Sequence, residues 1–238
     1  MSHVDRVLGY ADDALVAAQR LGEWCSRAPE MEEDVALANI ALDQLGTARL
    51  LLSYAGELEG RGRDEDDYAF LRGDREFRNV LLVELDNGDF AVTMAKLLFL
   101  SAYQKALYDR LASHTGGVEG DARLAEIAAK ARKESAYHLD HSSLWTVRLG
   151  DGTDESHRRM QDAVDSLWPY TAELFETEPD LRPTWLSTVE GVLARATLTR
   201  PADGWAPTGG RDGVHTEAMS HLLAEMQVLH RAHPGARW

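Results

Sequence analysis

The stretch KESAYHLDH, Lys133 to His141, gathers the side chains best suited to chemistry, with Glu134, His138, Asp140 and His141 inside about two helical turns. Glutamate and histidine four residues apart lie on one helix face and can reach a common cation. A zinc site built on them would need further ligands, since about four donors close a structural site. A pair of irons or manganeses in a four-helix bundle demands more: a Glu from each of two helices and a Glu-x-x-His pair from each of the other two. No histidine in this chain has a glutamate three places before it. Asp154 before His157 and Asp212 before His215 put an acid there, the first at a helix start and the second in a glycine-rich loop. The stretch can therefore be half of a metal site, the remains of one, or a satisfied polar patch, and a structural or interface role is favoured.

Other reactive groupings are absent or isolated. The sequence has no G-x-S-x-G elbow, no G-x-x-x-x-G-K-[ST] loop and no G-x-G-x-x-G after a strand. Cys25 has no evident catalytic partner, and a lone cysteine in an apolar helix usually packs. TGGRDGVHTE could offer backbone N–H groups and Arg211 to an anion, as a coenzyme A carrier would require, but a plain loop and helix cap is the simpler reading. Trp145, Trp168 and Trp185 are read as core or interface anchors.

The elements that position these groups are helices. Leu124, Ile127, Ala131, Glu134, His138, His141 and Trp145 recur at spacings of three and four, placing the polar cluster Glu134, His138 and His141 on a core-facing stripe of a helix from about 121 to 149. Each of the three then needs a hydrogen bond, a counter-charge, water or a metal. Between Asp34 and Ser53 the stripe Val35, Ala38, Leu42, Leu45, Ala48 and Leu52, widened by Leu37, Ile40 and Leu51, predicts a helix buried on more than one side. Asn39, Asp43 and Thr47 draw a polar line through it, with Gln44 beside it. A third long helix starts after DNGD with Asp89 as its cap, a fourth runs from about 154 to 175, and two more follow Pro183 and TGGRDG. No window alternates as a strand does. The expected fold is all-α, a four-helix bundle from segments starting near 30, 89, 121 and 154 with additional C-terminal helices, in one domain spanning 1–238.

Charge and composition narrow the partners. With 40 acidic against 25 basic residues the net charge is -15, and the basic residues are scattered, so neither nucleic acid nor an anionic membrane is expected. Asp5, Asp12 and Asp13 interrupt any leader-like apolar stretch, and no apolar run of roughly 20 residues is read as a membrane span. One cysteine excludes an internal disulfide and suits a reducing cytoplasm.

Five blocks taken together carry a resemblance: LGEWCSRAPEMEEDVALANIALDQLG, LLVELDNGDFA, KESAYHLDHSSLWTVRLGDGTDES, MQDAVDSLWPYTAELF and GGRDGVHTEAMSHLLAEMQVLHRAHPG. They resemble, in order and over nearly the whole chain, the C-type structural subunit of bacterial phenylacetyl-CoA oxygenase, also called phenylacetyl-CoA epoxidase. The resemblance implies a ferritin-like fold and a place in aerobic phenylacetate degradation. It implies that a related A-type subunit holds the di-iron centre and forms the ring 1,2-epoxide, with electrons from NADPH through a reductase subunit and a small B-type subunit in the assembly. The C-type chain itself is implied to be without metal, cofactor or catalytic residue, and a homodimer is the form open to it when isolated. Where the iron-binding relative is expected to carry Glu-x-x-His, this chain has Gln44 and Thr47 on one helix and Ser135 and His138 on another, so these positions are implied to be degenerate, with Asp89 in the place of an acidic ligand. Against that reading stands a self-sufficient ferritin-like oxygenase acting on an acyl-CoA and holding metal through Asp43, Asp89, Glu134 and His138.

Overall fold

The computed structural model describes residues 2–113 and 121–236, which are helical with no strand among them. The all-α, ferritin-like expectation stands. The chain divides into two compact units, residues 1–86 with 208–238 and residues 87–207.

The first unit is built on α1 (His3–Gly22) and α2 (Met31–Glu59). Ser2 caps α1 in a reciprocal capping box with Asp5, and Gly60, at φ 68°, ends α2 in the left-handed conformation that glycine adopts without strain. His3 at the start of α1 meets Tyr54 near the end of α2, ring centroids 6.4 Å apart, so the pair is antiparallel. The short α3 (Leu81–Glu84) follows, and the chain returns to this unit as α8 (Glu217–Ala232). Gln227 of α8 donates to the carbonyls of Ala69 and Arg72 at 2.9 and 3.0 Å, and His230 stacks on Phe70.

The second unit is built on α4 (Phe90–Ala112) and α5 (Ala122–Gly150), capped by Asp89 and Asp121. Phe90 at the head of α4 packs edge-on against Trp145 near the tail of α5 at 5.0 Å, which fixes a second antiparallel pair. α6 (Asp154–Leu167) and α7 (Arg182–Arg195) complete the unit. Trp185 of α7 donates to the Phe99 carbonyl at 2.8 Å and sits among Phe99, Trp168 and Phe175.

Two expectations change. The segment read as one helix from 154 to 175 is α6 to Leu167 and then a tighter 3-10 stretch over Trp168–Phe175. Pro169 explains the break, because it has no N–H to donate to the Asp165 carbonyl and its ring crowds that turn. The long helix α1 is not among the four segments expected to form the bundle. Its residues from Val7 to Leu21 are buried almost without interruption, and Val7, Ala11, Ala14, Ala18 and Leu21, with Leu8 and Leu15 beside them, recur at helical spacing, so this helix is legible in the sequence as well.

Candidate functional site

The polar positions on α5 do not share one environment. His138 is 1% exposed, whereas Glu134 and His141 lie half-buried at the helix edge. Glu134 pairs with Lys130 one turn back, at 3.4 Å. His141 stacks on Tyr137, centroids 6.5 Å apart. The buried stripe instead runs Ala131, Ser135, His138, Ser142 and Thr146. The expectation that all three cluster residues face the core is corrected here, and the cause is helical pitch. A strict seven-residue repeat drifts by about 20° per heptad around a straight helix, which carries Glu134 and His141 off the buried face.

Two hydroxyls of that stripe are engaged by their own helix. Ser142 donates to the His138 carbonyl and Thr146 to the Ser142 carbonyl, both at 2.8 Å. Such back-bonding lets a polar stripe sit inside a helix pair without an outside partner. On α2, Gln44 and Thr47 are buried, Asp43 is half-buried and Asn39 is exposed. Steps of four turn about 40° each around a helix, so a line at that spacing must leave the core.

Asp89 is occupied otherwise. Its carboxylate accepts from the Val92 N–H at 3.0 Å as the cap of α4 and lies 3.6 Å from Arg159 at the surface. Among the described residues no group of three or more His, Cys, Asp or Glu side chains is arranged to hold a metal. Neither the amide and hydroxyl at Gln44 and Thr47 on α2 nor the hydroxyl and imidazole at Ser135 and His138 on α5 is a Glu-x-x-His pair of the kind a di-metal bundle takes from a helix.

The chain as a whole matches a known family. Residues 1–238 match the family described as phenylacetic acid catabolic protein. The chain belongs to that family. Among its curated members, the C-type chain of the 1,2-phenylacetyl-CoA epoxidase of Escherichia coli (strain K12) is 47% identical over 246 residues, 97% of each chain being covered.

Family membership leaves the densest ionic region of the first unit still to be explained, and local sequence patterns point to little of it. Asp12 is paired with Arg72 and accepts the Arg78 N–H at 2.8 Å. Asp13 takes Arg211 at 2.7 Å and the Val80 N–H at 2.8 Å. Arg211 donates also to the carbonyls of Gly9 and Arg78, so the glycine-rich loop holds its arginine inward and has no free guanidinium for a coenzyme A phosphate. Gly213, at φ 78°, is needed there, since a Cβ would stand 2.2 Å from the Arg75 carbonyl oxygen. Glu84 accepts from Asn79, from the Thr216 N–H and, at 2.7 Å, from His215 Nδ1. Cys25, expected to pack in a helix, is exposed in the turn after α1.

This network predicts a pH dependence. Burial works against a charged His215, but the hydrogen bond and attraction from Glu84 outweigh it and hold the imidazole above its usual pKa. A histidine raised on folding stabilises fully below its unfolded value, about 6.5, and that gain is lost as pH climbs through the higher folded value. Wild type is therefore expected to exceed His215→Gln in melting temperature at pH 6 by more than at pH 9. An equal gap at both pH values would remove the charged pair from the account.

Proposed function

We propose that this chain is a non-catalytic subunit of a 1,2-phenylacetyl-CoA epoxidase, supporting and positioning a separate di-iron A-type subunit, which draws electrons from NADPH through a reductase in an assembly with a small B-type subunit. The observation that carries the reading is the absence of any Glu-x-x-His pair, with Gln44 and Thr47 on α2 and Ser135 before His138 on α5 where the resemblance implies ligands, in a chain 47% identical to the C-type chain of such an epoxidase. In this reading phenylacetyl-CoA is converted elsewhere, in the cytoplasm, and the chain contributes surface and rigidity. One family match over 1–238 supports treating both units as parts of a single ferritin-like domain.

The test is reconstitution. The A-type subunit and reductase are assayed for NADPH-dependent turnover of phenylacetyl-CoA with and without this chain, and the isolated chain is assayed for bound metal after growth with iron. Turnover is expected to depend on the chain, which itself carries no stoichiometric metal. Full turnover in its absence, or about two irons per isolated chain, would overturn the proposal.

A further inference from the structure

α2 is apolar on two faces. One face supplies Leu37, Ile40, Leu51 and Leu52 to the core. The other carries Met31, Val35, Ala38, Leu42 and Leu45, the four larger side chains being 77%, 57%, 65% and 46% exposed. These residues step by four, three, four and three, the spacing at which a helix presents knobs to the holes of a neighbouring helix. Isolated exposed leucines are ordinary, but a continuous string of this kind marks an interaction surface. It is also why the helix is long and apolar enough by composition to pass for a membrane span although only 39% of that window is buried.

We propose that this outward face of α2 seats a helix of the catalytic partner subunit, one with apolar residues at the same alternating spacing and lysine or arginine along its edges. The proposal rests on the subunit reading above. Charge selects the occupant. Beside the stripe lie Glu32, Asp34 and Asp43, Glu33 being buried, and the first cation along the face, Arg49, is already ion-paired with Glu65 at 3.0 Å. A second copy laid along this face would bring acidic rims together in a chain of net charge -15, whereas a basic-rimmed helix is attracted. An anionic lipid surface is disfavoured for the same reason.

Binding of the A-type subunit to Leu42→Glu, Leu45→Glu and wild type is compared by calorimetry, with melting temperature measured on each. Both leucines are already exposed, so the variants are expected to melt as wild type while binding weakens by about 10-fold to 100-fold. Glu32→Lys, a change at the rim, is expected to slow association at low salt and to have little effect at high salt. If wild type does not bind the A-type subunit, the subunit reading itself fails. If wild type binds and both leucine variants bind equally well, only the α2 assignment fails. It fails too if the leucine changes abolish self-association, or flotation with phosphatidylcholine–phosphatidylglycerol vesicles, while leaving partner binding intact.

Discussion

Arg211→Ala is expected to destabilise the fold by about 3 to 5 kcal/mol, the range for removing one partner of a buried ion pair. Arg211 and Asp13 are both almost fully buried and meet at 2.7 Å. Burial pushes the Asp13 carboxyl up, against the pull of Arg211 and of the Val80 N–H. Without the arginine that opposition weakens, the carboxyl rises further, and it is protonated in the folded state over a wider range. A carboxyl raised on folding stabilises below its unfolded value, about 3.9, and the gain is lost as pH rises through the folded value. The deficit of Arg211→Ala should therefore shrink as pH falls. Arg211→Met with Asp13→Leu should recover stability relative to Arg211→Ala, because no unpaired charge is left at this position, although the Gly9 and Arg78 carbonyls lose a donor and the Val80 N–H its acceptor. Denaturant titrations at pH 5 and 8 measure all three. A single variant within about 1 kcal/mol of wild type would mean that the pair acts as a screened surface contact despite its burial.

Four helices show how far the fold is legible in the sequence. α4 and α5 can be read from their caps, Asp89 and Asp121, and from the apolar spacing that follows each. α2 is recognisable as a helix apolar on two sides, but the more regular stripe, Val35, Ala38, Leu42 and Leu45, is the exposed one. Periodicity reports that a face is apolar and not what covers it. The same limit applies to α5, where a heptad fit places Glu134 and His141 beside His138 although the helix turns them to its edges. α1 carries a legible stripe, Val7, Ala11, Ala14, Ala18 and Leu21, but the stripe does not reveal that the opposite face is buried too. A further signal is the acid pair Asp12 and Asp13 inside an otherwise apolar run, which once buried demands cationic partners. Those partners, Arg72 and Arg211, are 60 and 198 residues away, beyond the reach of any local pattern. The absence of any Glu-x-x-His pair is legible, because it is a fact of sequence that no folding can alter.

Trp185→Ala is expected to cost about 3 to 5 kcal/mol, the usual loss for a large aromatic side chain removed from a core. Trp185 is 1% exposed and touches three rings, Phe99 at 5.8 Å, Trp168 at 5.5 Å and Phe175 at 5.2 Å. It ties α7 to α4 through its bond to the Phe99 carbonyl, while Trp168 and Phe175 belong to the 3-10 stretch after α6. A cavity there removes packing from three elements of the second unit at once. Trp185→Phe keeps most of the ring contact and loses the hydrogen bond, so about 1 kcal/mol or a little more is expected. For a chain of this size the alanine variant should melt roughly 6 to 20 °C lower, at about 2 to 4 °C per kcal/mol. Turnover of the reconstituted epoxidase, measured per assembled complex, should nonetheless stay within a few-fold of wild type, because the change removes no interaction made only in a transition state. A subunit whose role is support lowers the yield of complex when weakened, whereas a catalytic one lowers the rate of each complex formed. Normal melting of Trp185→Ala with abolished turnover per complex would place chemistry in this chain and contradict the supporting role.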